Sequence, residues 1–366
     1  MQPRALLLPL ALIACDDIAE PGVEYAEPSP IVAGEQFKAD GLDPDLGEAC
    51  PANRMIARVQ GVCPAVAGWQ ARKLFSEDDD GEAVQPVAGL DEFCLYAMQG
   101  EPTLRQRRNL QRQLRGRGLT SDCRVAAPLG TPFDDIVGPG MRRAFAKAIN
   151  PPGRIAGTPS AVRIAVVDTS PRYYFWGRAR GGNSAHGLTI GRIIRAGTCG
   201  PDGAVAGACA GFISHHLGLP RLHDGTVDRG EGGFYGHQSE PAIAVVAAVK
   251  AWRDWQAAGQ QPAKERLVIN LSLGWDGAYG GAMDWANPNP NAQLRGGVLA
   301  MYRALEYATC SGALVIAAAG NDTGGLPVPT GPMYPAGWEQ VSATALQCQR
   351  YGVDPPASGA PYQPLL

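Results

Sequence analysis

A chain of 366 residues with 45% hydrophobic content is long enough for one large buried core plus a smaller region, and it is neither disordered nor fibrous. Its net charge is −3, and removing residues 1–14 takes away only Arg4 and leaves −4. No overall field therefore favours nucleic acid as the main partner.

The first elements are signals rather than structure. A charged start through Arg4 and an apolar run from Ala5 to Ala14 have the form of a secretory signal peptide over residues 1–14. The run falls short of the roughly 20 apolar residues that a permanent membrane helix needs. It ends in Leu12-Ile13-Ala14-Cys15, followed at once by Asp16-Asp17, and resembles the bacterial lipobox, in which the cysteine is acylated. This places the protein in the bacterial cell envelope, lipid-anchored through Cys15, or outside the cell. With Cys15 assigned to lipid, Cys50, Cys63, Cys94, Cys123, Cys199, Cys209, Cys310 and Cys348 remain, an even set suited to disulfides in an oxidising compartment. They allow on the order of 100 pairings, and only Cys199 with Cys209 is near in sequence, across a Gly/Ala-rich loop. No C-x-x-C pair points to zinc.

Residues 15–48 are rich in Pro, Gly, Asp and Glu and read as a tether. Residues 49–130 read as a small α+β region. Met55–Val59 and Phe93–Met98 are its predicted strands, and 102–115, opening at Pro102, is its Arg-rich helix. That helix reads as a solvated face. Ser76-Glu77-Asp78-Asp79-Asp80 lacks the ligand and glycine spacing of the commonest calcium loop and reads as a surface turn.

From about residue 160, apolar runs at 162–167, 267–271 and 313–319 alternate with helical patterns at 187–195, 241–258 and 297–309. Such runs read as buried parallel strands, and the fold class is α/β with a doubly wound parallel sheet. In open parallel sheets ligands bind beyond the carboxyl ends of the strands. There the runs end in Asp168, in Ser272-Leu273-Gly274, and in Gly320-Asn321. Ala185-His186-Gly187 opens a helix, where the dipole disfavours an imidazolium and a nearby Asp168 favours it, a setting that suits a base. His215, His216, His223 and His237 have no regular ligand spacing, and no metal is assigned to them.

Asp168-Thr169, His186-Gly187, Asn270-Leu271-Ser272-Leu273-Gly274 and Ala318-Ala319-Gly320-Asn321 resemble, in order, the aspartate, histidine, substrate-strand and oxyanion-asparagine motifs of the subtilisin-like serine proteases. Tyr334-Pro335-Ala336 and the strand-like Val341–Ala345 resemble the family's next segment, so the likeness spans about 160–346. It implies a subtilisin-like catalytic domain over 160–366, with 49–130 standing where the family often carries a pro-region. It also implies hydrolysis of peptide bonds in a peptide or protein substrate, with no cofactor. In that scheme Asp168 orients the imidazole, His186 moves the proton, Asn321 donates to the oxyanion, and Ser272, Leu273 and Gly274 pair with the substrate backbone.

The sequence departs from the family at Ser170, where a glycine is usual, and at Leu188, where a threonine is usual. The nucleophile's Gly-Thr-Ser-x-Ala motif does not occur, since only Ser342 and Ser358 follow Asn321 and neither sits in that setting. The expectation is thus a catalytic domain interrupted before its serine and inactive by itself. A non-catalytic peptide-binding lipoprotein is the alternative.

Overall fold

The computed structural model describes residues 50–126, 162–169, 185–199, 211–222, 234–258, 266–275, 277–284, 289–319, 333–339, 341 and 343–353. The lipobox, Cys209, Asn321 and the whole tether lie outside them.

The first region contributes strands β1 (Arg54–Arg58), β2 (Gln70–Lys73) and β3 (Phe93–Ala97), helix α1 (Leu104–Gln113), and the short strands β4 (Thr120–Ser121) and β5 (Arg124–Ala126). Strands β1 to β4 form an antiparallel sheet in the order β2-β3-β1-β4, with Arg54 opposite Ala97 and Arg58 opposite Phe93. Strand alternation gives this sheet two apolar faces. Ala57, Cys94 and Tyr96 pack with Leu110 and Leu114 from the α1 segment, while Ile56, Phe93 and Leu95 face the larger core. The α1 helix starts at Leu104 rather than Pro102, because Thr103 and Gln106 form a reciprocal capping box that fixes the first turn. Disulfides Cys50–Cys123 and Cys63–Cys94 tie the region together.

The second region contains β6 (Val162–Asp168), α2 (Ala185–Cys199), β7 (Gly211–Leu217), β8 (Arg221–Leu222), β9 (Phe234–His237), α3 (Ser239–Ala257), β10 (Arg266–Leu271), α4 (Pro290–Gln293), α5 (Gly296–Cys310), β11 (Leu314–Ala317) and α6 (Ala345–Gln349). Four parallel strands form a sheet in the order β11-β10-β6-β7, with Val166 beside both Asn270 and His215. Strand β6 is central and buried along almost its whole length, as its apolar run Ile164–Val167 requires. Its Ala165 and Val167 join Leu267, Ile269, Leu271 and Val315 in a core shared with α3 and α5. On the opposite face, Gly191 of α2 lies over His215.

Helix α5 is buried at every residue, and α3 is buried on nearly all sides as far as Val249. A helix apolar all round belongs between two layers. Here the parallel sheet covers one side, and the antiparallel sheet, through Ile56, Phe93 and Leu95, covers the other. Pro241 sits in the first turn of α3, where its missing N–H costs nothing, although two residues precede it in the helix. The covalent and polar seams are also continuous. Strand β5 pairs with β9 of the second region, Arg124 opposite His237, and Asp122 accepts the Ser239 N–H at 3.0 Å, capping α3. Cys310–Cys348 staples α5 to α6.

Two expectations change. Residues 343–345 do not continue a strand: Thr344 accepts the Gln347 N–H and opens α6. Asp79 is not part of a solvated surface turn. Its side chain is fully buried, accepts the Leu217 N–H at 2.8 Å and stands 3.4 Å from the His216 ring. The end of β7 leaves that N–H without a strand partner, and a carboxylate from the first region satisfies it.

Candidate active site

The site begins at the carboxyl end of β6, the strand that the sheet buries most deeply. Its last residue, Asp168, has no exposed side-chain surface. A buried carboxylate is tolerated only with hydrogen-bond partners, and Asp168 Oδ1 has two. The Thr169 N–H donates to it at 2.7 Å, and His186 Nδ1 lies 2.8 Å away. Since an ionised carboxylate only accepts, this contact selects the tautomer with hydrogen on Nδ1. In that tautomer the basic lone pair sits on Nε2. The His186 side chain is 13% exposed, so the ring is held at its inner edge and reachable from outside.

His186 is placed by the start of α2. The first N–H groups of a helix lack partners within it, and the Gly187 N–H donates at 3.0 Å to Thr169 Oγ1. Thr169, itself buried, thereby joins the strand that carries Asp168 to the helix that carries His186. One turn further along α2, Gly191 lets the helix rest on His215 of β7. A Cβ at Gly191 would fall 2.5 Å from the His215 ring, so no larger residue fits without movement. Burial, reinforced by the neighbouring His216 charge, lowers the His215 pKa against the opposing pull of Asp168. This ring is a neutral packing surface beneath the site.

Ser272, Leu273 and Gly274 leave β10 at the same end of the sheet, because the strands are parallel. Ser272 Oγ donates to Asn270 Oδ1 at 3.0 Å, and Leu273 is buried. At Gly274 a Cβ would meet the Tyr334 carbonyl oxygen at 3.0 Å and Met333 Cβ at 3.3 Å, so the glycine accommodates a close backbone neighbour. Trp275 and Tyr334 exchange two backbone hydrogen bonds beside it, at 2.9 and 3.0 Å. From β11, the Ala318 N–H donates to the Leu271 carbonyl and the Met333 N–H to the Ala319 carbonyl. These bonds bring the segments after β10 and β11 together on the rim that holds Asp168. Asn321, two residues past Ala319, lies outside the described residues.

The geometry therefore joins Asp168 with His186 and sets Ser272–Gly274 at the end of the neighbouring strand. Thr169 and His215 are contributors to which the sequence assigned no role. Thr169 was visible beside Asp168, but its partner lies 18 residues further along the chain. Among the described residues, no three His, Cys, Asp or Glu side chains gather as metal ligands, and no helix is long and apolar enough to cross a membrane.

Neither a comparison with models of protein families nor one with curated proteins finds a match to this chain.

Proposed function

We propose that this chain carries the acid–base half of a subtilisin-like serine endopeptidase, exported and lipid-anchored through Cys15. The observation that carries the reading is the 2.8 Å contact between buried Asp168 and His186 at the carboxyl rim of a parallel sheet. The strand order supports it. From β6 the chain moves to β7 on one side and then to β10 and β11 on the other, and such a reversal in a doubly wound sheet opens a crevice at the strand ends.

In this reading His186 Nε2 takes the proton of a serine hydroxyl as the oxygen attacks the scissile carbonyl, then returns it to the leaving amine. Asp168 holds the ring and stabilises the imidazolium. Asn321 donates to the oxyanion, and Ser272–Gly274 offers backbone groups to an extended peptide. The serine is not among these 366 residues in its family motif. Residues 50–126 stand where a pro-region would, sealing α3 and α5.

The test is expression of the gene at its own locus, including whatever follows codon 366. We expect casein hydrolysis that a fluorophosphonate blocks and that His186→Ala lowers at least ~10⁴-fold, with none from the 366-residue chain alone. Peptide binding without hydrolysis, unchanged by His186→Ala, would replace this reading with that of a peptide-binding lipoprotein.

A further inference from the structure

The stretch from Leu104 to Arg117 carries arginines at 105, 107, 108, 112, 115 and 117 and no acidic residue. Taking those six charges from the net −3 leaves −9 on the rest of the chain, so this stretch is a net-positive segment of an otherwise acidic protein. Arg105, Arg108 and Arg112 follow each other at intervals of three and four, which places them on one face of α1, and Arg115 lies just past its C-cap beside the same groove. All four are exposed. The opposite face is apolar, with Leu110 and Leu114 buried against the antiparallel sheet. The four arginines share an open groove with Gln111 and with Leu104, which is 55% exposed.

A helix face that serves only solubility interleaves both signs, whereas like charges at these spacings repel and weaken the helix. None of the four arginines forms an ion pair with a described residue. Their face is opposite the one that Leu110 and Leu114 bury.

We propose that this face of α1 docks on an anionic phospholipid surface. The chemistry fits a lipid headgroup layer better than a nucleic acid, because no aromatic side chain lines the groove to stack on bases. Guanidinium groups pair with phosphate, and exposed Leu104 at one end can enter the boundary of the acyl chains. The proposal rests on the lipid-anchor reading in one respect: an anchor at Cys15 would keep the domain near the bilayer, where weak contacts suffice. The anchor supplies attachment, and the arginine face supplies orientation.

The test uses the chain from Asp16 onward, without the signal or Cys15, so that only the folded protein meets the membrane. Sedimentation with vesicles of mixed phosphatidylglycerol and phosphatidylcholine is expected to bring the protein down at low salt and release it at high salt. Vesicles of phosphatidylcholine alone are expected not to bind. Each arginine near such a surface contributes roughly fivefold, so the variant R105Q/R108Q/R112Q/R115Q should lose several hundred-fold, while the four lysine replacements retain binding. These positions are exposed, and matching circular dichroism will show that the fold is kept. Equal binding by the glutamine variant overturns the proposal. So does absent vesicle binding, including the case where heparin or an acidic peptide is bound instead. Acylation of Cys15 is read separately by mass spectrometry of the natural protein, and its failure would remove the anchor while leaving the vesicle result standing.

Discussion

Asp168 offers one oxygen to two donors and leaves Oδ2 without a hydrogen-bond partner among the described residues. That asymmetry makes the pair with His186 directional, since rotating the carboxylate would strand the Thr169 N–H as well as the ring. The support beneath is equally specific, because the Gly191–His215 contact sets the height of α2 over the sheet. Gly191→Ala is therefore expected to cost about 1–3 kcal/mol by overpacking. Part of that loss should return when His215→Ala is added. A double-mutant cycle by denaturant unfolding measures this, and strictly additive losses would show that the two residues do not touch. Asp168 and His186 were legible in the sequence because a strand end and a helix start announce themselves locally. His215 and Asp79 were not, for their roles arise from residues brought together across the chain.

Elements in this fold are defined by what covers them. Helices α3 and α5 were legible as helices, and their all-round burial has its reason only in the two sheets between which they lie. Strand β7 was missed because Ser214, His215 and His216 interrupt its apolar run. Disulfides were legible as a class, but not their pairings, because the partners are 31 to 73 residues apart and spacing alone does not select them. Within α5 a buried ion pair makes a sharper statement about energetics. Arg303 and Glu306 are bonded, Tyr351 also donates to Glu306, and all are shielded from water. Yet Arg303 Nε and Glu306 Oε1 have no hydrogen-bond partner among the described residues. Glu306→Ala alone should cost about 3–5 kcal/mol by leaving a buried guanidinium uncompensated. Replacing both with methionine should cost far less, because the pair's own desolvation disappears with it. Thermal melts of the single and double variants check the order, and a double variant worse than the single would refute the argument.

At the scale of the whole molecule, the two regions meet through a shared core, through Asp79 at the end of β7, and through a polar cluster at the start of α3. Arg54 pairs with Asp122 at 2.7 Å and approaches Glu240 at 3.4 Å, while Arg221 also bonds Glu240. Burial by itself would raise the Glu240 pKa. Hydrogen bonds from His237 and Arg221, with the charges of Arg54 and Arg221, outweigh it and hold this carboxyl far below its ordinary value of 4.5. A carboxyl depressed in the folded state contributes stability that is fully present above its unfolded value and is lost as pH falls from there towards its folded value. His215 acts in the same direction in a higher window. Its lowered pKa means that the unfolded chain takes up a proton below about 6.5 that the folded chain refuses. Stability should therefore decline in two stages on acidification, first below about pH 6.5 and more steeply below about pH 4.5. His215→Phe is expected to flatten the first stage and Glu240→Gln the second, each measured by urea unfolding across pH 3 to 8. Because Arg54 and Asp122 belong to the first region and Glu240 and Arg221 to the second, the lower stage should also loosen the seam between them. Hydrogen exchange at pH 4 would then rise first in β5 and β9, and exchange that rises first in β6 and β10 instead would show that the cluster does not hold that seam.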